Sequence, residues 1–170
     1  MIENSRFQRK YIPSSAVIGR VIEDIDDGLK EMTRNVQVIS ARKDVLPREG
    51  MEVLFLVSSH LYDFYVLVED CLLGIAKIID KWVPSSLDWH QVLLWKMQEP
   101  LPEERPPVLS PYTASLLEDY LFFYLSFHRR CCSASFPKVE KLSGEVEELF
   151  RHLENELRTF RDFLKMMQRT

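Results

Sequence analysis

The sequence predicts an all-α antiparallel bundle of four long helices and one short helix. Three observations carry this. First, five glycines and nine prolines are the main breaks in 170 residues. The prolines fall at Pro13, Pro47, Pro84, Pro137 and in the cluster Pro100, Pro102, Pro106, Pro107, Pro111. Second, this leaves five proline-free segments, and a proline inside a helix costs about 3 kcal/mol, so each such segment is a helix candidate. Third, apolar residues recur in steps of three and four within the segments, and none shows sustained alternation of period two. The length suits one domain, large enough to bury roughly 70% of the unfolded chain's surface. There is no internal repeat and no low-complexity tract. The expected organisation is a single domain over residues 1–170, with 1–12 as an N-terminal tail and 99–110 as a proline-rich connector.

The first helix is read from Val17, Val21, Ile25, Leu29, Met32, Val36 and Ile39, which form one stripe. Ser14 or Ser15 is placed to cap it. The second carries Met51, Leu54, Phe55, Leu61, Tyr62, Tyr65, Val68, Leu72, Ile75, Ala76 and Ile79. Its wide apolar arc predicts a central helix touching several neighbours. The third is short. Ser85-x-x-Asp88 resembles a capping box, and Trp89, Val92, Leu93 and Met97 give one apolar side.

After the connector, Ser110-Pro111 reads as an N-cap followed by proline at the first helical position. The fourth helix is expected to run from there to about Ser133. Its middle, Tyr120 to Phe127, is apolar nearly all round, which predicts burial on both sides by the bundle or by a partner subunit. The last helix starts after Pro137, with Val139, Leu142, Val146, Leu149, Leu153, Leu157, Phe160, Leu164 and Met167 in unbroken helical steps. Glu145, Glu147 and Glu148 come early, and Arg158, Arg161, Lys165 and Arg169 late, a gradient that suits the helix dipole. Glu147–Arg151 and Glu154–Arg158 are expected i,i+4 pairs.

Net charge is −4 with pI near 5.6. That argues against a protein that coats itself in nucleic acid, which needs a basic excess, while leaving room for a local basic site. The most apolar stretch, Leu54 to Ile79, is cut by Asp63, Glu69 and Asp70, so no membrane span is expected. The first residues lack the apolar middle of a signal peptide. Three cysteines, two of them adjacent at Cys131 and Cys132, are no disulfide framework, and the expected compartment is a reducing cytoplasm.

Standard site motifs are missing: no GxxxxGK[ST], no GxGxxG, no HExxH and no CxxC. His60, His90, His128 and His152 lie on separate segments. The most unusual local sequence is His128-Arg129-Arg130-Cys131-Cys132. As zinc ligands, adjacent helical cysteines diverge by about 100°, so one at most faces His128. A reactive thiol lowered by flanking cations is a second reading. The plainer reading packs the cysteines as small apolar groups and turns the cations to solvent or a partner. The late basic stripe of the last helix could touch phosphate, but the dipole already accounts for it. Phe122, Phe123, Tyr124 and Phe127 read as core or subunit interface rather than a base-stacking platform. Trp89 and Trp95, flanking His90, read as anchors of the short helix. No cofactor and no metal are expected.

Four motifs stand in a telling order: YDFYVLVEDCLLGIA, then LDWHQVLLWKM, then RPPVLSPYTASLLEDYLFFYLSF, and a last helix ending FRDFLKMM. From about Tyr62 to Leu164 the chain resembles the HepT-like branch of the HEPN superfamily. Its members have an aromatic-Tyr-x-x-aliphatic-Glu helix, a WHxxLLxxM element and an RPxVLS cap with its following helix. They are small helical bundles, many of them ribonuclease toxins paired with nucleotidyltransferase antitoxins of the MntA type.

The resemblance implies a HEPN-like bundle, homodimeric through the fourth helix, with Tyr120, Phe123, Tyr124 and Phe127 at the interface. The family's ribonuclease motif is Arg-x4-6-His followed two residues later by Tyr. There the histidine serves acid–base cleavage through the RNA 2′-hydroxyl and the arginine holds phosphate. Aligning Phe136 with the phenylalanine that closes the motif puts Phe127 at the arginine, Cys132 at the histidine and Ala134 at the tyrosine. No arginine stands at the required distance before any histidine in the chain. Phenylalanine cannot bind phosphate, and cysteine is a poor substitute for imidazole near pH 7.

The expected role is therefore binding, not catalysis. The partner would be a nucleotidyltransferase antitoxin, RNA or a catalytically intact relative, with His128, Arg129, Arg130 and Cys132 as the binding patch. Two alternatives stand beside it. One is a metal-independent ribonuclease using His128 with Arg129 or Arg130. The other is an oligomerising scaffold without ligand.

Overall fold

A computed structural model of the chain describes residues 13–46, 50–129 and 135–169, and of His128 and Arg129 the backbone alone. Five helices follow one another: α1 (Ser15–Arg42), α2 (Gly50–Ile78), α3 (Trp89–Gln98), α4 (Pro111–Arg129) and α5 (Phe136–Gln168). No strand occurs among the described residues. The all-α class of four long helices and one short helix stands as expected.

Helix α1 buries Ile18, Val21, Ile22, Ile25, Leu29, Met32, Val36 and Ile39, the stripe expected of it with Ile18 and Ile22 added and with Val17 only half-buried. It lies antiparallel to α5, as three contacts spaced along the pair show. Gln168 Nε2 donates to the Ser15 carbonyl at 2.8 Å, Arg161 Nη1 meets Asp26 Oδ1 at 2.7 Å, and Lys43 Nζ meets Glu147 Oε2 at 3.1 Å. The last contact replaces the expected Glu147–Arg151 pair, whereas Glu154–Arg158 forms as expected at 2.7 Å. The dipole account of α5 keeps its basic end, with Lys165 in the last turn, and loses its acidic end. Its first turn, starting at Phe136 rather than after Pro137, holds no acidic residue. Glu145 lies beyond the single turn over which the dipole acts.

Helix α2 touches all four other helices, as its wide apolar arc predicted. Gly28 on α1 lets α1 and α2 approach closely. A Cβ there would stand 2.5 Å from the Cys71 sulfur. By length and composition α2 is apolar enough to cross a membrane, despite Asp63, Glu69 and Asp70. In the bundle much of that apolar surface faces the other helices: Val57, Leu61, Phe64, Val68, Leu72, Ile75 and Ala76 are each fully enclosed.

The connector is ordered by Arg105. Its guanidinium, almost fully buried, meets Asp80 through Nε at 2.6 Å and Nη2 at 2.7 Å. Nη1 donates to the carbonyls of Glu99 and Pro106. A lone buried charge at either position would cost about 3–5 kcal/mol, so the two must be buried together. The amides of Val108 and Leu109 then donate to the Met97 carbonyl, closing the turn out of α3.

At the start of α4 the expected cap is present and is reinforced by α5. Ser110 Oγ accepts from the Thr113 amide, while Glu156 accepts from the Ser110 amide at 3.1 Å and from Thr113 Oγ1 at 2.8 Å. The capping box at Ser85 is a correction. Helix α3 begins at Trp89 with Asp88 as N-cap, and no side-chain cap bond forms there. Ser14 likewise precedes α1 without a side-chain cap bond.

Candidate functional site

Helices α2, α3 and α4 converge beside the end of α4, where the family-like motif segments meet. Tyr62 and Tyr65 come from one face of α2, Tyr124 and Phe127 from the last turns of α4. Tyr62 stacks on Tyr124 at 5.1 Å and packs against Phe127 at 5.6 Å. Phe127 stacks on Phe123 at 5.4 Å, and Tyr65 reaches Tyr124 at 5.2 Å. Offset aromatic pairs at these separations contribute about 0.5–1.5 kcal/mol each beyond area burial. Together they bind the end of α4 to α2.

A polar pair lies under this cluster. Glu69, at 8% exposure, points from α2 toward α3, and its Oε2 is 2.5 Å from His90 Nδ1. The imidazole lies flat on Trp89 at 3.7 Å and meets the edge of Tyr124 at 5.5 Å. Burial raises the Glu69 carboxyl above the usual range, against the opposing pull of the His90 hydrogen bond. Burial also raises the phenols of Tyr65 and Tyr124, so both serve as neutral hydrogen-bonding and packing groups. When the neutral ring donates Nδ1–H to the carboxylate, its lone pair resides on Nε2. The pair ties α3 to α2, and Gln91 Nε2 ties the same helix to Glu118 on α4 at 2.8 Å.

The pair joins the Glu of the first motif to the WH of the second. Sequence reading placed His90 merely between two anchoring tryptophans. The missed signal was Glu69 itself, an acid in register with Tyr65, Val68 and Leu72 on a buried stripe. Such a group is retained inside when it has a partner.

Of the residues expected at the site, Phe127 is 5% exposed and belongs to the core. His128 and Arg129 close α4, their side chains outside the described residues. Arg130, Cys131, Cys132 and Ala134 also lie outside them. Burial within one chain limits what the four rings expected at the interface can offer a second copy. Tyr120 and Phe123 are 1% and 4% exposed within one chain, and Tyr120 donates its hydroxyl to the Leu142 carbonyl at 2.8 Å. Tyr120, Phe123 and Phe127 therefore have almost no surface to give a second copy. Tyr124 keeps part of its surface, and in this stretch of α4 the ring turned outward is Phe122, at 57% exposure.

The one cysteine among the described residues is inert: burial pushes the Cys71 thiol up to about 12, far from the thiolate a nucleophile needs. No group of three or more potential metal ligands occurs among the described residues. The late basic stripe of α5 is engaged with carboxylates, Arg158 with Glu154 and Arg161 with both Asp26 and Asp162.

Residues 56–164, more than half of the chain, match a family model described as HepT-like protein. No curated protein and no solved structure matches the chain.

Proposed function

The chain belongs to the HepT-like protein family, and from that premise we propose that it is a non-catalytic HEPN-type binding module of a toxin-related system. Its partner is a nucleotidyltransferase-type antitoxin, RNA or a catalytically intact relative. The observation that supports this most is Phe127. It stands where the family's motif would put the phosphate-holding arginine, and it is 5% exposed between Phe123 and Tyr62. The position has become part of the core. A guanidinium there would have to be buried among aromatic rings, at a desolvation cost of several kcal/mol. Cys132 and Ala134, at the histidine and tyrosine positions, supply neither the acid–base group nor the phenol of the motif.

The residues proposed for binding are His128 and Arg129, which close α4, with Arg130 and Cys132 after them in the sequence. Arginine forks suit phosphate and carboxylate equally, so the segment can serve an RNA backbone or an acidic protein face. A homodimer through α4 fits the reading, with Phe122 and Tyr124 supplying its aromatic contacts. The reading keeps the protein in the cytoplasm, with no cofactor.

RNA binding is tested by the salt slope. Each phosphate contact releases counterions, so log affinity falls linearly with log salt by roughly 0.7–0.9 per contact. Arg129→Ala with Arg130→Ala is expected to flatten the slope by about two contacts. A slope unchanged by this double substitution removes the patch from RNA binding. It leaves the two protein partners, which are read by co-purification with and without the same substitutions.

A further inference from the structure

The first turn of α3 is held differently from the rest of that helix. Its N-cap, Asp88, makes no side-chain cap bond, and Val83, Ser85, Ser86 and Leu87 before it are exposed. Two side-chain bonds pin the turn from outside, His90 to Glu69 on α2 and Gln91 to Glu118 on α4. The second half is anchored in another way. Leu93, Leu94 and Met97 are buried, and the Met97 carbonyl accepts from the amides of Val108 and Leu109. The first turn can therefore lift while the rest of α3 stays in place.

The charge state of the Glu69–His90 pair bears directly on that turn. With one proton between them the two groups carry no net charge, whether acid faces imidazole or carboxylate faces imidazolium. When that proton leaves, a carboxylate bonded to a neutral ring remains in the interior, at 8% exposure. Among the described residues, the charges acting on Glu69 are His90 and Asp70, and Asp70 repels it. Glu118 of α4 accepts from the uncharged Gln91 amide, and Asp88 is exposed. The rings packed around the pair are Trp89 of α3, Tyr65 of α2 and Tyr124 of α4, the last stacked on Tyr62. Burial keeps the phenols of Tyr65 and Tyr124 protonated, so neither adds a charge. A buried carboxylate in such surroundings is costly, and lifting the turn gives it water.

We propose that Glu69 and His90 form a proton-operated pin, which holds the first turn of α3 against α2 while the pair shares a proton and releases the turn once that proton is lost. Release uncovers the rings of Tyr65 and Tyr124 beneath. Burial raises the Glu69 carboxyl above its usual range. The closed turn thus holds the proton more tightly than the open one, and closure weakens as pH rises. The pin is independent of what the end of α4 binds.

Amide hydrogen exchange of the full chain, corrected for its intrinsic pH dependence, tests this. The amides of Gln91 and Val92, which donate to the Asp88 carbonyl, report on the first turn, and those of Val108 and Leu109 on the anchored end. Protection at Gln91 and Val92 is expected to fall by up to about tenfold per pH unit above about pH 4.3, with that at Val108 and Leu109 unchanged. Glu69→Gln is expected to flatten the fall. The midpoint of the fall in the parent should coincide with the titration of the Glu69 carboxyl carbon, a readout that does not depend on the variant folding. Equal pH dependence at the two ends of α3 overturns the proposal. So does a fall that persists in folded Glu69→Gln, or one whose midpoint departs from the Glu69 titration.

Discussion

Glu69 shows how a single side chain links chemistry to fold. A carboxyl raised by burial prefers its proton in the folded state. Its contribution to stability is complete below the ordinary carboxyl range and is lost as pH rises through the raised value. Glu69→Gln keeps an oxygen that accepts from His90 Nδ1–H and removes the titration. The variant is therefore expected to lose less stability than the parent between about pH 4.3 and 7. Denaturant midpoints at the two ends of that range measure the difference, and parallel profiles would refute the assignment. At this scale the sequence was partly legible. Ser110-Pro111 declared itself because a cap and a proline are local chemistry. The pairing of Arg105 with Asp80, or of Glu69 with His90, was not, since each partner stands more than twenty residues away and is brought close by tertiary packing. Ser85 misled for the converse reason: a capping pattern is a local preference that the turn before α3 did not adopt.

Helices were the most legible scale, because a stripe of apolar residues repeats its message over many turns. Every expected helix is present. What pattern alone could not supply was the partner of each face. The arc of α2 was wide because it meets four helices. The apolar middle of α4 could have faced the bundle or a partner subunit, and Tyr120, Phe123 and Phe127 are used by the chain's own core. Glu147 turned from Arg151 to Lys43 across the α1–α5 seam for the same reason. Helices α1 and α2 pack closely at Gly28 and Cys71. Gly28→Ala gains up to about 1 kcal/mol in helix propensity, but a Cβ there meets the Cys71 sulfur at 2.5 Å. Overpacking of this kind costs about 1–3 kcal/mol, so a net loss of stability is expected. Adding Cys71→Ala should return much of it, because the two side chains compete for one space. Thermal unfolding of the two single variants and the double variant measures the coupling. Additive effects would mean that the helices separate freely at this point.

For the whole molecule, the family match and the helical bundle agree with the four ordered motifs. Membership was legible because those motifs hold the architecture: the tyrosine-rich face of α2, the WH of α3, and the RPxVLS turn with its buried arginine. The proposed loss of ribonuclease chemistry rests on the sequence alone, on Phe127, Cys132 and Ala134 at the positions that the resemblance gives to the motif. The core position of Phe127 gives that loss a physical meaning, since a side chain enclosed by Tyr62 and Phe123 is unavailable to phosphate. The measurement that tests the central claim most directly is incubation of the purified protein with total RNA in excess chelator, beside a His128→Ala variant. The account predicts intact RNA in both. Cleavage by the parent that disappears in the variant would contradict it, and would assign a metal-independent ribonuclease to the displaced His128, Arg129 and Arg130 set.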